Sequence, residues 1–273
     1  MSEYKLIACD LDGTLMRDDM SISEENLRAI SEIAVRGVEF VPCTGRTLCE
    51  IPEAVRCHPD VRWIIHSNGA VILDRHTGQS TKLCMTREQS RRALDILGAC
   101  EAHITVRQAG QSWASPDEQT ARDYAYYRVY PAHQRVLADY AQFPANYRTM
   151  IYEMDDVEVI SAFFHSDEEM ENCREALSAT GELRAASLGG VNLEIFSSFA
   201  GKGRALRCLG QLLGIDVRAI IGMGDSGNDI PLMEGAGLGL AVANACDALK
   251  AAADEIICSN AEHAARYVLE RYL

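Results

Sequence analysis

The short apolar runs of this chain stop, one after another, at small polar or acidic residues. Tyr4–Cys9 runs into Asp10-Leu11-Asp12-Gly13-Thr14, Val38–Pro42 into Thr44-Gly45-Arg46, Val61–His66 into Ser67-Asn68-Gly69, and Val217–Met223 into Gly224-Asp225-Ser226-Gly227-Asn228-Asp229. Four to seven apolar residues closed by a turn signal fit a buried strand better than a helix. Between the first two runs, Ser23 precedes Glu24–Arg36, with Leu27, Ile30, Ile33 and Ala34 at helical spacing and Gly37 beyond. That is a capped amphipathic helix with a stop. Lys202–Leu213 reads as another helix and Leu238–Val242 as a further short strand. Strand and helix alternating in this way predict an α/β fold, a doubly wound parallel sheet with crossover helices, with the chemistry at the strand ends.

The 273 residues suffice for one large domain or two modest ones. The first and last stretches share the alternating pattern and are assigned to one core, residues 1–82 and 191–273. Residues 83–190 differ and are expected to form an inserted α/β cap that closes over the strand ends. They carry helical stretches near Arg87–Ala99 and Asp167–Ala179 and a strand-like Val157–His165. Tyr124, Tyr126, Tyr127 and Tyr130 lie there too, read as core of the insert, with the lining of a substrate cleft as the other reading.

Charge and cysteine usage narrow the partners. With 26 Lys and Arg against 40 Asp and Glu, the net charge is −14. That sign opposes attraction to a phosphate backbone or an anionic membrane, while a locally positive pocket for a small anion stays open. No run reaches the roughly 18 apolar residues of a membrane span, and the N-terminus lacks a basic-then-apolar leader, so a cytoplasmic location is expected. The ten cysteines are scattered without zinc-knuckle spacing and are read mainly as small buried hydrophobes. Cys9 and Cys43 adjoin the motifs, which raises oxidation sensitivity as a second reading. The seven histidines show no metal-ligand spacing and none is assigned to a metal.

Asp10 and Asp12 lie two apart at a strand end, where extended backbone turns both carboxylates to one side. Such a pair needs a cation or a shared proton; otherwise the segment is an acidic turn. Thr44-Gly45-Arg46 offers a hydroxyl, a close-approach glycine and a guanidinium, a set suited to phosphate oxygens, although Thr-Gly is also an ordinary turn. Lys202 at a helix start is either an anion-binding element or a solvated charge. The acids after Gly224 are costly at a strand end unless a hard cation such as Mg²⁺ is held there.

Taken in order, Asp10-Leu11-Asp12-Gly13-Thr14-Leu15, Thr44, Lys202 and Gly224-Asp225 through Asp229 resemble the four motifs of the haloacid dehalogenase phosphatase superfamily. The long insertion, with Cys43-Thr44-Gly45-Arg46, Ser67-Asn68-Gly69-Ala70 and Leu193-Glu194-Ile195 ahead of Lys202-Gly203, resembles its Cof-type subgroup with an α/β cap. The lead Ser198-Phe199-Ala200-Gly201 departs from the family's usual segment, which leaves the register of the following helix less determined. The resemblance implies a phosphomonoester hydrolase in which Asp10 is the nucleophile and Asp12 the acid and base. It implies Mg²⁺ held by Asp10, Asp225 and the Asp12 backbone carbonyl, with Asp229 as a nearby acid. Thr44, the amides of Leu11 and Gly45, Lys202 and Asn228 would surround the phosphoryl group. Arg46 and Asn68 would touch substrate or serve as a surface ion pair and a turn cap. The implied substrate is a small phosphorylated metabolite such as a sugar phosphate. A phosphomutase, or a phosphoacceptor module without turnover, fits the same motifs.

Overall fold

The computed structural model describes residues 3–187 and 190–273. Its strands, in chain order, are β1 Leu6–Cys9, β2 Glu39–Pro42, β3 Trp63–His66, β4 Val71–Asp74, β5 Ser80–Lys82, β6 Ala102–Gln108, β7 Gln111–Ala114, β8 Ala141–Gln142, β9 Val157–Phe164, β10 Leu183–Ala186, β11 Asn192–Ser197, β12 Ile220–Gly224, β13 Leu238–Ala241 and β14 Glu255–Ile256. They fall into two compact units. The first comprises Met1–Arg46, Ile51–Thr81 and Gly201–Leu273, the second Thr47–Glu50 and Lys82–Ala200. Among the described residues no helix is long and apolar enough to cross a membrane.

The first unit is built on a parallel sheet in the order β14-β13-β12-β1-β2. A parallel bridge from Cys43 to Ile65 leads on to the small sheet β3-β4-β5. Leu6, Ile7, Ala8 and Cys9 of β1 are fully buried, as a strand covered on both faces requires, and each buried Leu or Ile contributes roughly 1.5–3 kcal/mol. The expected first helix runs Glu24–Val35, and the Ser23 side chain accepts a hydrogen bond from the Asn26 amide. It buries Ala29, Ile30 and Ile33 and packs against the C-terminal helix Ala264–Tyr272. The expected helix Lys202–Leu213 is present with those bounds. The run at 217 begins as a turn: Asp216 accepts a hydrogen bond from the Arg218 amide at 2.9 Å and winds Val217–Ala219 into a short helical turn before β12. An Asx turn outweighs β-propensity there.

The second unit is a six-stranded sheet in the order β10-β11-β9-β6-β7-β8, antiparallel except where β7 meets β8. Here the expected division of the chain shifts. Residues 192–197, expected in the core, form β11, which pairs with β9 and β10, so the return to the first unit comes at Gly201 and not at 191. Residues 47–50 also belong to the second unit. One sheet face is apolar, with Val106, Ile160, Ala162, Phe164, Leu193 and Ile195 packed against Leu94, Leu97 and Leu177. The alternating residues His103, Thr105 and Arg107 of β6 are buried too. Arg107 donates to Glu50 at 3.1 Å, to Glu194 at 3.0 Å and to Ser161 at 3.1 Å. Thr47 donates to Glu158 at 2.7 Å, and the Gly110 amide donates to the other oxygen of that carboxylate.

The tyrosine run is not core. Tyr126 is exposed, and Tyr124, Tyr127 and Tyr130 are only partly buried, at the edge of an aromatic group around His103 and Phe163. The cysteines divide as well. Cys9, Cys43 and Cys173 are buried, whereas Cys57 and Cys246 are exposed. Burial pushes the Cys9 and Cys43 thiols well up, which removes the thiolate that oxidation needs.

Candidate active site

The C-terminal ends of β1, β2 and β12, and the start of the helix Lys202–Leu213, bring the motif residues of the first unit together. Register places Cys9 beside Pro42 on one side and Met223 on the other. The chain therefore leaves three neighbouring strands within a residue or two of Asp10, Thr44 and Asp225. After β1, Leu11–Leu15 curls into a wide turn. Gly13 takes φ 72° there, and a Cβ at that position would lie 2.4 Å from Asp225 Oδ2. Only glycine provides both the left-handed backbone and the space for that carboxylate.

Lys202 is the hub. Its Nζ donates to Asp10 Oδ1 and to Asp229 Oδ1, both at 2.6 Å, and all three side chains are almost wholly buried. Burial alone would push the ammonium toward its neutral form, but the two carboxylates outweigh it and hold Lys202 well above its ordinary range. Burial likewise drives Asp10 well up; Lys202 pulls it down, and Asp229, Asp12 and Asp225 add repulsion. Asp225 is half-buried and pushed up to about 6, by burial first and then by Asp229. Asp10, Asp225 and Asp229 offer carboxylate oxygens all within 4.8 Å of one another.

Three carboxylates and one ammonium carry an excess of negative charge in a partly desolvated site, and the donors are hard oxygens. This chemistry fits a divalent cation of the Mg²⁺ or Ca²⁺ kind. Asp229 is the most committed of the three: beyond Lys202, its Oδ2 accepts from the amides of Asp225 and Ser226 at 3.1 and 3.2 Å.

The remaining expected residues are placed as follows. Thr44 is fully buried, and its Oγ1 accepts from the Arg46 amide at 3.1 Å, which leaves the hydroxyl proton to be donated. A Cβ at Gly45 would stand 3.0 Å from Asn68 Oδ1. Ser67 and Asn68 take left-handed backbone at φ 53° and 54°, uncommon for non-glycine residues. Their amides donate to Arg46 and Thr44 carbonyls, tying this loop to the end of β2. The Leu11 side chain is core, so its backbone alone faces chemistry. Asn228 accepts from Ser226 Oγ at 2.7 Å. Arg46 is not near Lys202 in role: its guanidinium pairs with Asp12, Nε to Oδ2 at 2.8 Å and Nη2 to Oδ1 at 2.7 Å.

Three asparagines escaped the sequence reading. Asn26 donates to Leu15 O, Asn244 to Gly13 O and Asn260 to Met16 O, at 3.2, 2.8 and 3.0 Å. Together they pin the turn that carries Asp10 and Asp12. Asn244 had a signal, since it follows the expected strand at 238–242, β13, by a few residues, where ligand-side loops lie in such sheets.

A profile of the haloacid dehalogenase-like hydrolases matches residues 7–269. The chain is similar to the 5-amino-6-(5-phospho-D-ribitylamino)uracil phosphatase YwtE of Bacillus subtilis, 28% identical over 98% of each chain. It is also similar to phosphatase YwpJ of the same organism, 28% identical over 98% of this chain and all of the other. Among solved structures it resembles a haloacid dehalogenase-like hydrolase from B. subtilis, with TM-score 0.80 and 27% identity over 98% of this chain and 100% of that one. The chain thus belongs to the haloacid dehalogenase-like hydrolases, in the Cof-type group with a parallel-sheet core and an additional cap domain. It is an enzyme of the phosphatase class.

Proposed function

We propose that the chain is a Mg²⁺-dependent phosphomonoester hydrolase that works through an aspartyl-phosphate at Asp10, on a small phosphorylated metabolite with a sugar or polyol backbone. The observation that carries this reading is the buried Asp10–Lys202–Asp229 group with Asp225 beside it, at the carboxyl ends of adjacent parallel strands. The substrate class is supported by the ribitylamino phosphate ester that YwtE is named for.

In this reading Asp10 is the nucleophile. Its Oδ1 is fixed on Lys202, which leaves Oδ2 to attack phosphorus, and the ammonium lowers the repulsion between carboxylate and phosphate. Thr44 donates its hydroxyl proton to an equatorial oxygen, with the Leu11 and Gly45 amides and Asn228 around the same group. Asp12, half exposed, protonates the leaving oxygen and afterwards takes the proton of the hydrolytic water, which attacks phosphorus and frees Asp10. The Asp10 and Asp225 side chains and the Asp12 carbonyl would hold Mg²⁺, whose positive charge would offset the negative charge of the phosphate. Asp229 positions Lys202 and the 225–226 backbone.

The test is a panel of phosphomonoesters assayed with and without Mg²⁺, on the wild type and on Asp10→Asn. Turnover should require the metal and fall roughly 10⁴-fold or more in the variant, with an unchanged circular dichroism spectrum. Metal-dependent turnover persisting in Asp10→Asn would remove it as nucleophile.

A further inference from the structure

We propose that Arg46 is a positioning residue for Asp12 and not a phosphate ligand. The proposal rests on the reading of Asp12 as the group that moves the proton. Two parallel N–H···O bonds of 2.8 and 2.7 Å join the guanidinium to both oxygens of the carboxylate. A bidentate pair of this kind fixes the plane of the carboxylate as well as its distance.

The two partners are unequal. Asp12 is half exposed, while the Arg46 side chain is 11% exposed and springs from backbone bonded on both its amide and its carbonyl. Its amide donates to Thr44 Oγ1, its carbonyl accepts from the Ser67 amide, and its Nη2 lies 3.8 Å from Met20 Sδ. Arginine is therefore the anchor and aspartate the group being held. Among the described residues no other side chain bonds to the Asp12 carboxylate, which on its own would rotate among several staggered positions in water. The Nε and Nη2 edge of the guanidinium, the fork that would grip a phosphate bidentately, is turned toward Asp12. Because Thr44 Oγ1 accepts from the same residue, the fork also sets the proton-moving group at a fixed station relative to the phosphate-binding hydroxyl.

The consequence falls on leaving groups that need a proton. A poor, alkyl leaving group depends on Asp12 being in place, whereas p-nitrophenolate departs without one. The readout is the ratio of kcat for the fastest alkyl phosphate of the panel to kcat for p-nitrophenyl phosphate. Asp12→Asn should lower the ratio about 10²–10⁴-fold. Arg46→Ala should lower it about 10–100-fold, and Arg46→Lys, which keeps the charge but not the fork, should lower it by a similar factor. In the double variant Asp12→Asn/Arg46→Ala the ratio should match that of Asp12→Asn alone.

A ratio restored by lysine means that charge and not the fork matters, and overturns the proposal. So does a further fall of the ratio in the double variant, or a rise in KM with the ratio unmoved, since each makes Arg46 act on substrate directly. If Asp12→Asn leaves the ratio unchanged, the reading of Asp12 itself fails, and the proposal falls with it for that separate reason. Should Arg46→Ala fail to fold, Arg46→Lys alone decides the matter.

Discussion

Each of the two units buries one cation between two carboxylates, yet the two groups have different characters. In the first unit Lys202 stands between Asp10 and Asp229 at 2.6 Å; in the second, Arg107 stands between Glu50 and Glu194 at 3.1 and 3.0 Å. The arginine group is closed by a further bond to Ser161, and guanidinium, permanently charged and planar, suits a fixed strut. The lysine group has a fourth member, Asp225, half-buried and pushed up to about 6. Burial and Asp229 disfavour its ionised form, which a bound cation would favour. Buried ion triads are thus not sites in themselves. What separates a site from a strut here is the extra acid and the strand ends it sits on.

The largest expected effect comes from removing each cation. Lys202→Met should lower kcat about 10³-fold, and Arg107→Met should cost about 3–5 kcal/mol of stability by leaving two buried carboxylates without a partner. Urea unfolding sharpens the contrast: added Mg²⁺ should recover stability in Lys202→Met, where Asp10, Asp225 and Asp229 can bind it, and none in Arg107→Met. Equal recovery in both would erase the distinction between the two groups.

A smaller effect separates two glycines with the same backbone. Gly13 and Gly110 both have φ 72°, but a Cβ on Gly13 meets Asp225 Oδ2 at 2.4 Å while one on Gly110 meets the Leu48 side chain at 3.0 Å. Either alanine costs about 1–2 kcal/mol of left-handed strain. Only Gly13→Ala should raise the Mg²⁺ concentration needed for activity, and a metal titration on both variants checks it.

The last effect concerns acid, and the units respond with opposite sign. Burial, then Arg107 and His103, keeps the His133 imidazole well below its ordinary range, and burial lowers His103 as well. Below about pH 6.5 the unfolded chain therefore takes up protons that the folded second unit refuses, and its stability falls by at most about 1.4 kcal/mol per pH unit per histidine. Asp225 runs the other way. Its folded range is raised, so without metal its contribution is fully present below about pH 4 and is lost as pH rises through about 6. Hydrogen exchange at pH 5 and 7.5, corrected for intrinsic rates, should show β6 and β9 losing protection at the lower pH while β1 and β12 do not. Equal change in both sheets would contradict the assignment.

The sequence made much of the first unit legible because its signals are local. Apolar runs, a serine cap and a glycine stop lie within a few residues of the elements they define. The helix bounds at Lys202 and Leu213 came out as read for that reason, despite the unusual Ser198–Gly201 lead. What was not legible depends on partners far along the chain. β11 alternates polar and apolar residues over Asn192–Ile195 although all six of its residues are buried, and nothing in Leu193-Glu194-Ile195 says that its neighbour is β9. Glu50 gives no sign of Arg107, fifty-seven residues on. Asn26 and Asn260 hold the Asp10 turn through backbone carbonyls, which leave no trace in side-chain pattern.

The four residues Thr47–Glu50 have a consequence for modularity. Seen as an insertion, the second unit has two ends, at Lys82 and Ala200, and a graft onto another core would be cut there. Cut so, it would leave behind Glu50, which accepts from Arg107, and Thr47, which donates to Glu158. The donor sheet would arrive with a guanidinium and a carboxylate each missing a partner, and the segment left behind would lose its bonds to Arg107 and Glu158. Exchange of this domain between relatives is therefore a two-segment operation. The short segment must travel with the long one, even though it is encoded next to Thr44 and Arg46 in the other unit.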